Sequence, residues 1–305
     1  MRNSIYFKQA ELLLRVLPFI DRETVFSLKG GTAINFFVRD LPRISIDIDL
    51  VYLPIRERDV SLDDISSALV RISQDIGSKI PETSITSRKI GGTDFLNGLI
   101  VQRQEATVKI EPNLVMRGSV FPPERRNLSR KAQNLFELSV ESRTLSANEL
   151  YAGKICAALD RQHPRDFFDV YMLFKNEGIH TAMRKAFIVY LISHPPPMVE
   201  ILNPGFTDIM PVFEKEFKGM TLEKVTCEDL IRTREQLVAA IQTGLTLKER
   251  QFIVSVKDGN PQWRLLGIEG IENLPAVKWK LLNIEKMNPS KHKEAVRKLR
   301  NYLEV

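Results

Sequence analysis

Two aspartates one residue apart, Asp47 and Asp49, stand in the run Arg43-Ile44-Ser45-Ile46-Asp47-Ile48-Asp49-Leu50-Val51. Ile44, Ile46, Ile48 and Leu50 alternate with Ser45, Asp47 and Asp49, which is the period of a half-buried β-strand. That period puts both carboxylates on one face, roughly 7 Å apart at their bases. Like charges so placed repel, and a divalent cation such as Mg2+ or Mn2+ relieves the repulsion. The same pattern also fits the solvated face of an antiparallel sheet, so the pair alone does not decide. Upstream lies Gly30-Gly31-Thr32. Glycines let a backbone approach a phosphate closely, and the N–H groups of a helix opening after them point at an anion. A glycine turn, a short helix and a strand carrying DxD, in that order, are more specific than any one of them. Glu111 falls on a later strand in which Val108 and Ile110 face one way, Lys109 and Glu111 the other. Paired into the same sheet it supplies a third carboxylate; read alone it is a solvent-facing strand residue. Lys154 sits among apolar neighbours on a helix and is followed by Arg165-Asp166-Phe167-Phe168-Asp169, whose aspartates are one helical turn apart. Lys154 either reaches a triphosphate as a point charge or ties two helices together through an ion pair.

The elements that must hold these residues follow from periodicity. A helix is expected over 5–20, with Leu12, Leu13, Val16 and Ile20 at helical spacing. Phe26–Lys29 reads as a short strand, and Ala33–Val38 as a helix that opens after the glycines and is ended by Pro42. Residues 61–77 suit a helix. Strands are expected at Leu99–Val101 and Ala106–Val115, with a turn at Gly91-Gly92 and a further short strand over Phe136–Val140. Beyond Ala147 the pattern is helical: 148–160, Pro164 to about 175, 178–193, 222–242, 246–254, 275–286 and 289–303. His194-Pro195-Pro196-Pro197 reads as a rigid break and a linker. Strands before residue 142 and helices after it predict an α+β fold. An N-terminal core over 1–145 carries the metal site, and a mostly helical portion over 146–305 completes the nucleotide site and bears the basic C-terminal segment.

With 305 residues, 43% hydrophobic and 27% charged, the chain has the composition of a soluble globular protein with room for two domains. Lys8, Glu11 and Arg15 interrupt the N-terminal apolar positions, which argues against a signal peptide. No apolar run is long enough to span a bilayer, so a cytoplasmic protein without a membrane partner is expected. Cys156 and Cys227 are far apart and outside any CxxC pair, which speaks against zinc, and Cys156 reads as a small core residue. The net charge of +6 is concentrated: Lys278 to Arg300 holds eight basic residues against Glu285 and Glu294. Such a local field suits a polyanionic partner. Helix 289–303 would turn Ala295, Val296, Leu299 and Tyr302 inward and leave Lys293, Arg297, Lys298 and Arg300 for nucleic-acid phosphates; the alternative is an ordinary solvated face. Trp263 and Trp279 read as core or interface aromatics, with base stacking as the alternative. His163, beside Pro164, reads as a helix cap.

Taken together, Lys29-Gly30-Gly31-Thr32-Ala33, the Arg43–Leu50 run, and Lys154 with Arg161 and Arg165-Asp166-Phe167-Phe168-Asp169 resemble the AbiEii/AbiGii-type toxins. These are nucleotidyltransferase-like proteins of bacterial toxin–antitoxin and phage-abortive systems. The resemblance covers roughly residues 25–175. It implies a DNA-polymerase-β-like catalytic domain with a mixed sheet and an NTP as substrate. It implies that Asp47 and Asp49 ligate the metal, and Glu111, reached from strand alternation, is the candidate third ligand. Gly30, Gly31, Thr32, Arg43 and Ser45 would bind the nucleotide, Lys154 would contact its phosphates, and Asp169 would complete the site. In the mechanism so implied, two divalent ions about 3.5–4 Å apart hold the attacking hydroxyl and the leaving pyrophosphate. Glu111 helps that hydroxyl lose its proton, while Lys154, Arg43 and the glycine backbone stabilise the triphosphate. Ser45 either bonds a phosphate or is itself modified. Family members act on transfer RNA ends and are neutralised by an antitoxin, so an RNA, foremost tRNA, and a cognate antitoxin are the implied partners. Two other readings stand beside this one. The acceptor could be a small molecule or a protein side chain, or the fold could be a decayed transferase that only binds RNA; the intact Asp47, Asp49, Lys154 and Asp169 speak against the last.

Overall fold

The computed structural model describes residues 4–305; the part of the leader reading that rests on Met1, Arg2 and Asn3 lies outside them. Helix α1 (Ile5–Asp21) buries Leu12, Leu13, Val16, Leu17 and Ile20, and the Ser4 hydroxyl accepts the Phe7 N–H at its start. Strand β1 (Phe26–Lys29) leads directly into α2 (Gly30–Thr32), which runs on as a π-helical segment, Ala33–Val38. Next come β2 (Asp47–Tyr52), α3 (Arg58–Lys79), β3 (Thr83–Lys89), β4 (Leu96–Arg103), β5 (Ala106–Asn113), β6 (Glu124–Asn127), α4 (Arg130–Phe136) and β7 (Glu141–Thr144). The strands form one seven-stranded mixed sheet in the order β3-β4-β5-β2-β1-β7-β6. β2 is parallel to β5 and antiparallel to β1.

Alternation along β2, β4 and β5 gives the sheet one apolar face. Ile48, Leu50, Leu99, Val101, Val108 and Ile110 are buried there, with α1 packed against β5 and α3 against β4. The opposite face carries Asp47, Asp49, Lys109 and Glu111. The structure thus shows the expected α+β class.

Two local expectations are corrected, and two strands were not foreseen. The strand expected from Ile44 begins at Asp47. Pro42–Ile44 pair instead with residues 220–222: Ile44 N–H donates to the Met220 carbonyl (2.9 Å) and Leu222 N–H to the Pro42 carbonyl (2.8 Å). Phe136–Val140 is not a strand. Ala132 and Phe136, four apart, are the buried residues of α4, where the Phe136 ring stacks on Phe7 at 4.7 Å. Glu137 then takes a left-handed conformation (φ 55°) that turns the chain toward β7. Finally, β3 and β6 went unforeseen because they are edge strands rich in polar and charged residues, which blunt an edge but erase the apolar alternation.

The remaining helices are α5 (Ala147–Arg161), α6 (Pro164–Asn176), α7 (Thr181–Ser193), α8 (Met198–Leu202), α9 (Met210–Val212, continuing as a π-helical Phe213–Phe217), α10 (Cys227–Gly244), α11 (Leu247–Lys257), α12 (Pro275–Glu285) and α13 (Pro289–Leu303). The chain divides into two compact units: Met1–Leu150 with Gly219–Lys224, and Tyr151–Lys218 with Val225–Val305. The first is built on the sheet. The second has an apolar core that includes Phe167 and Phe168 of α6, Phe187 and Ile188 of α7, Leu230 and Leu237 of α10, and Phe252 of α11.

His194–Pro197 lies inside the second unit rather than between the two. The Lys280 ammonium donates to the carbonyls of His194 (2.6 Å), Pro195 (3.2 Å) and Pro196 (2.8 Å). Burial, with Lys257 nearby, pushes Lys280 down to about 8. This lysine, counted in the basic stretch, is committed to folding the proline segment. Cys156 is buried and its thiol is pushed up by that burial, as expected of a core residue. No helix among the described residues is long and apolar enough to cross a membrane.

Candidate active site

In the first unit the site is assembled where β1 passes into α2 beside β2. Lys29 and Asp49 are register partners across the antiparallel pair, so the glycines that follow β1 land next to the Asp49 carboxylate. Gly30 has φ +71°, a left-handed conformation open to glycine, and a Cβ there would come within 2.3 Å of Asp49 Oδ2. A Cβ on Gly31 would come within 2.5 Å of an Arg43 guanidinium nitrogen and 3.2 Å of Ser45 Oγ. Both glycines are therefore required by close approach, of a carboxylate in one case and of a cation and a hydroxyl in the other. Thr32 Oγ1 donates to the Asp47 carbonyl (2.6 Å) and lies 3.0 Å from Ser45 Oγ. Asn35 Nδ2 donates to the Gly31 carbonyl (2.9 Å), and buried Arg43 donates to the Ile44 carbonyl (3.0 Å). The helix start, Arg43, Ser45, Thr32 and the aspartate strand are thus one bonded assembly.

β2 and β5 are parallel with Asp47 opposite Lys109 and Asp49 opposite Glu111. The face bearing the two aspartates also bears Glu111, on the adjacent strand and in the row of Asp49. The β4–β5 register, continued by one residue, sets Gly98 beyond Glu111, and Arg88 of β3 is opposite Gly98. Arg88 reaches over this glycine, and its terminal nitrogen donates to Glu111 Oε1 at 2.6 Å. Arg88 and Gly98 were not among the residues singled out from the sequence. The one available signal was a glycine in the middle of an apolar strand, which marks a close approach.

Asp47 and Asp49, on one face and one strand period apart, suit a divalent cation in charge and hardness. The clearance that Gly30 leaves at Asp49 Oδ2 shows that the backbone is shaped around that carboxylate. Among the described residues no three His, Cys, Asp or Glu side chains converge on one point as a metal cage. Glu111 is adjacent in the sheet but turned to Arg88.

In the second unit, Lys154 of α5 is buried and sits 2.7 Å from Asp166 Oδ1 and 3.0 Å from Asp169 Oδ2, both on α6. Arg161 holds Asp166 with two further bonds, at 2.6 and 3.0 Å. Burial alone would raise the Asp166 carboxyl; the charges and bonds of Lys154 and Arg161 outweigh it and hold it well below the carboxylate range. His163 caps α6, its Nδ1 accepting the Arg165 N–H at 3.1 Å. The interhelical ion pair that was one of two readings of Lys154 is therefore present.

On α13, Val296 and Leu299 are buried, and Lys293, Arg297, Lys298 and Arg300 are all exposed. The Tyr302 hydroxyl donates to the Leu202 carbonyl. Trp263 packs on Phe252 with ring centroids 5.8 Å apart, whereas Trp279 is 56% exposed, which removes the core option from its reading and leaves the interface and stacking ones.

The family model described as nucleotidyl transferase AbiEii toxin, Type IV TA system, matches residues 11–276. The chain belongs to this family. As an AbiEii-family protein it is of the nucleotidyltransferase toxins of toxin–antitoxin systems, as the motifs implied, and the family description adds that the systems are of type IV. A solved structure of MenT4, a nucleotidyltransferase toxin from Mycobacterium tuberculosis, superposes with a TM-score of 0.59. The match covers 92% of this chain and 95% of that one at 13% identity, so it is a likeness of fold. No curated protein matches the chain in sequence.

The shape of the AbiEii glycine turn gives a direct prediction. Gly30→Ala forces a side chain into left-handed backbone, at about 1–2 kcal/mol, and pushes on Asp49. Thermal unfolding should show the lost stability, and titration with Mn2+ should show weaker binding. A variant matching wild type in both would mean that the turn does not constrain Asp49.

Proposed function

We propose that this AbiEii-family protein is a metal-dependent transferase that moves a nucleotide from an NTP to an RNA acceptor, foremost a tRNA 3′ end. Asp47 and Asp49 hold Mg2+, or Mn2+, with Glu111 as third ligand. A divalent cation bound there offsets charge on the triphosphate and on the acceptor hydroxyl as its proton leaves. Gly30, Gly31 and Thr32 present the start of a helix to the triphosphate, and Arg43 and Ser45 add a cation and a hydroxyl beside it. The acceptor oxygen bonds to the α-phosphorus, the bond to pyrophosphate breaks, and Glu111 takes part in removing the hydroxyl proton. Lys154 is assigned to nucleotide phosphates and Asp169 to its support. A cognate antitoxin is the expected protein partner. The observation that carries the reading is the placement of Asp47 and Asp49 on one face beside the Gly30–Gly31 turn, with Arg43 and Ser45 against the second glycine.

The decisive experiment incubates the protein with each labelled NTP, Mg2+, and either purified tRNA or total protein. Label at RNA 3′ ends, lost on adding EDTA, is the expected result. Label on protein alone, or on neither, would reject the RNA acceptor.

The exposed basic residues of α13 support the choice of RNA. Replacing Lys293, Arg297, Lys298 and Arg300 together by Gln should lower the slope of log affinity against log salt by roughly three, as single-strand phosphate contacts are lost. Fluorescence anisotropy of labelled tRNA over a salt series measures this, and an unchanged slope would place the RNA elsewhere.

A further inference from the structure

Arg88 is an edge-strand residue, and an exposed edge arginine beside a glutamate is ordinarily a weak surface pair. Here the pair has a reserved lane. Gly98 lies between the two residues, and a Cβ on it would come within 3.2 Å of one Arg88 nitrogen and 2.7 Å of the Ile110 carbonyl. The Arg88 Nε is shielded from solvent and finds no partner among the described residues, while the terminal nitrogen bonds Glu111. The guanidinium is thus laid flat across β4 and aimed at one carboxylate, in the row that also holds Asp49.

We infer that Arg88 is a positioning residue for the metal site: it holds Glu111 out of the coordination sphere, and its release lets Glu111 join Asp47 and Asp49. This rests on the reading of that pair as the metal platform. Arg88 and a divalent cation compete for the same carboxylate, because Glu111 Oε1 accepts a short charge-assisted bond that must break before the oxygen can ligate. With Arg88 engaged, two aspartates hold the ion. With Arg88 withdrawn, a third hard oxygen donor is added and the net positive charge beside the site falls.

The test is titration of the full-length protein with Mn2+ alone, followed by the paramagnetic resonance signal of the free ion and by calorimetry. Arg88→Gln, and Arg88→Met as a second variant that keeps the aliphatic stem, are expected to bind Mn2+ roughly three- to ten-fold more tightly. Removing a nearby positive charge also tightens cation binding without Glu111, so the same substitutions are made in a Glu111→Gln background. There the gain should shrink to the small residue due to long-range charge. Unchanged affinity in both Arg88 variants overturns the inference, and so does a gain that persists in full without Glu111. If wild type binds no Mn2+, or Asp49→Asn binds it as well as wild type does, the metal-platform reading itself fails and takes the inference with it. Binding that depends on Asp49 but ignores Arg88 removes the inference alone.

Discussion

Asp49→Asn is expected to abolish nucleotide transfer, by on the order of 10³-fold or more, while leaving the fold intact. The magnitude follows from what is lost. A charge stabilisation acting in the transition state and worth several kcal/mol is removed, and each 1.4 kcal/mol is about tenfold in rate. The fold survives because the substitution keeps the shape of the side chain. Asp49 is only partly buried, and its strand is held by Ile48 and Leu50 on the apolar face and by backbone pairing to β1 and β5. Removing a like charge beside Asp47 even relieves repulsion, so thermal stability without metal should equal or exceed that of wild type. Asp47→Asn should behave similarly. The measurement is transfer of labelled NTP to tRNA beside a melting curve of the same preparation. Transfer at the wild-type rate in a correctly folded Asp49→Asn protein would refute the assignment of the carboxylate pair.

The parts of the site that could be read from the sequence are those that depend on local rules. Period-two alternation placed Asp47 and Asp49 on one face, and the glycine pair marked a turn feeding a helix; both are local in sequence and need no knowledge of what pairs with what. Glu111 was reached by analogy of alternation, and its register opposite Asp49 is a non-local fact set by the parallel pairing of β2 with β5. Arg88 could not be reached, because β3 shows no apolar alternation and its meeting with Glu111 depends on two strand registers and a glycine between them. The early start assigned to the aspartate strand failed for a similar reason: residues 220–222, distant in sequence, take the hydrogen bonds of Pro42–Ile44. In the helical half, amphipathic spacing located the longer helices well. The proline run read as a rigid break and a linker lies within the second unit, where the half-buried Lys280 ties it down.

The largest stability effect is expected at Lys154. Replacing it by Met leaves the carboxylates of Asp166 and Asp169 buried one helical turn apart without the ammonium that lies within 3.0 Å of both. Removing one member of a buried ion network costs about 3–5 kcal/mol, because the remaining charges stay desolvated. Asp166→Asn should cost less, about 2 kcal/mol: Lys154 keeps Asp169, and Arg161, whose side chain is 63% exposed, can turn to water. The pH dependence separates the terms. The Asp166 carboxyl is held below its unfolded value, so its contribution is fully present above the ordinary carboxylate range near 4 and fades as pH falls through that value toward the folded one. Urea unfolding at pH 7 should therefore separate wild type from Asp166→Asn clearly, and the gap should narrow by pH 3. Lys154→Met with near-wild-type stability but no transfer would instead assign the lysine to the nucleotide alone. A large loss of stability in that variant means that lost transfer on mutating Lys154 is not by itself proof of phosphate contact. The role at the nucleotide must then be read from NTP affinity under conditions where the variant is fully folded.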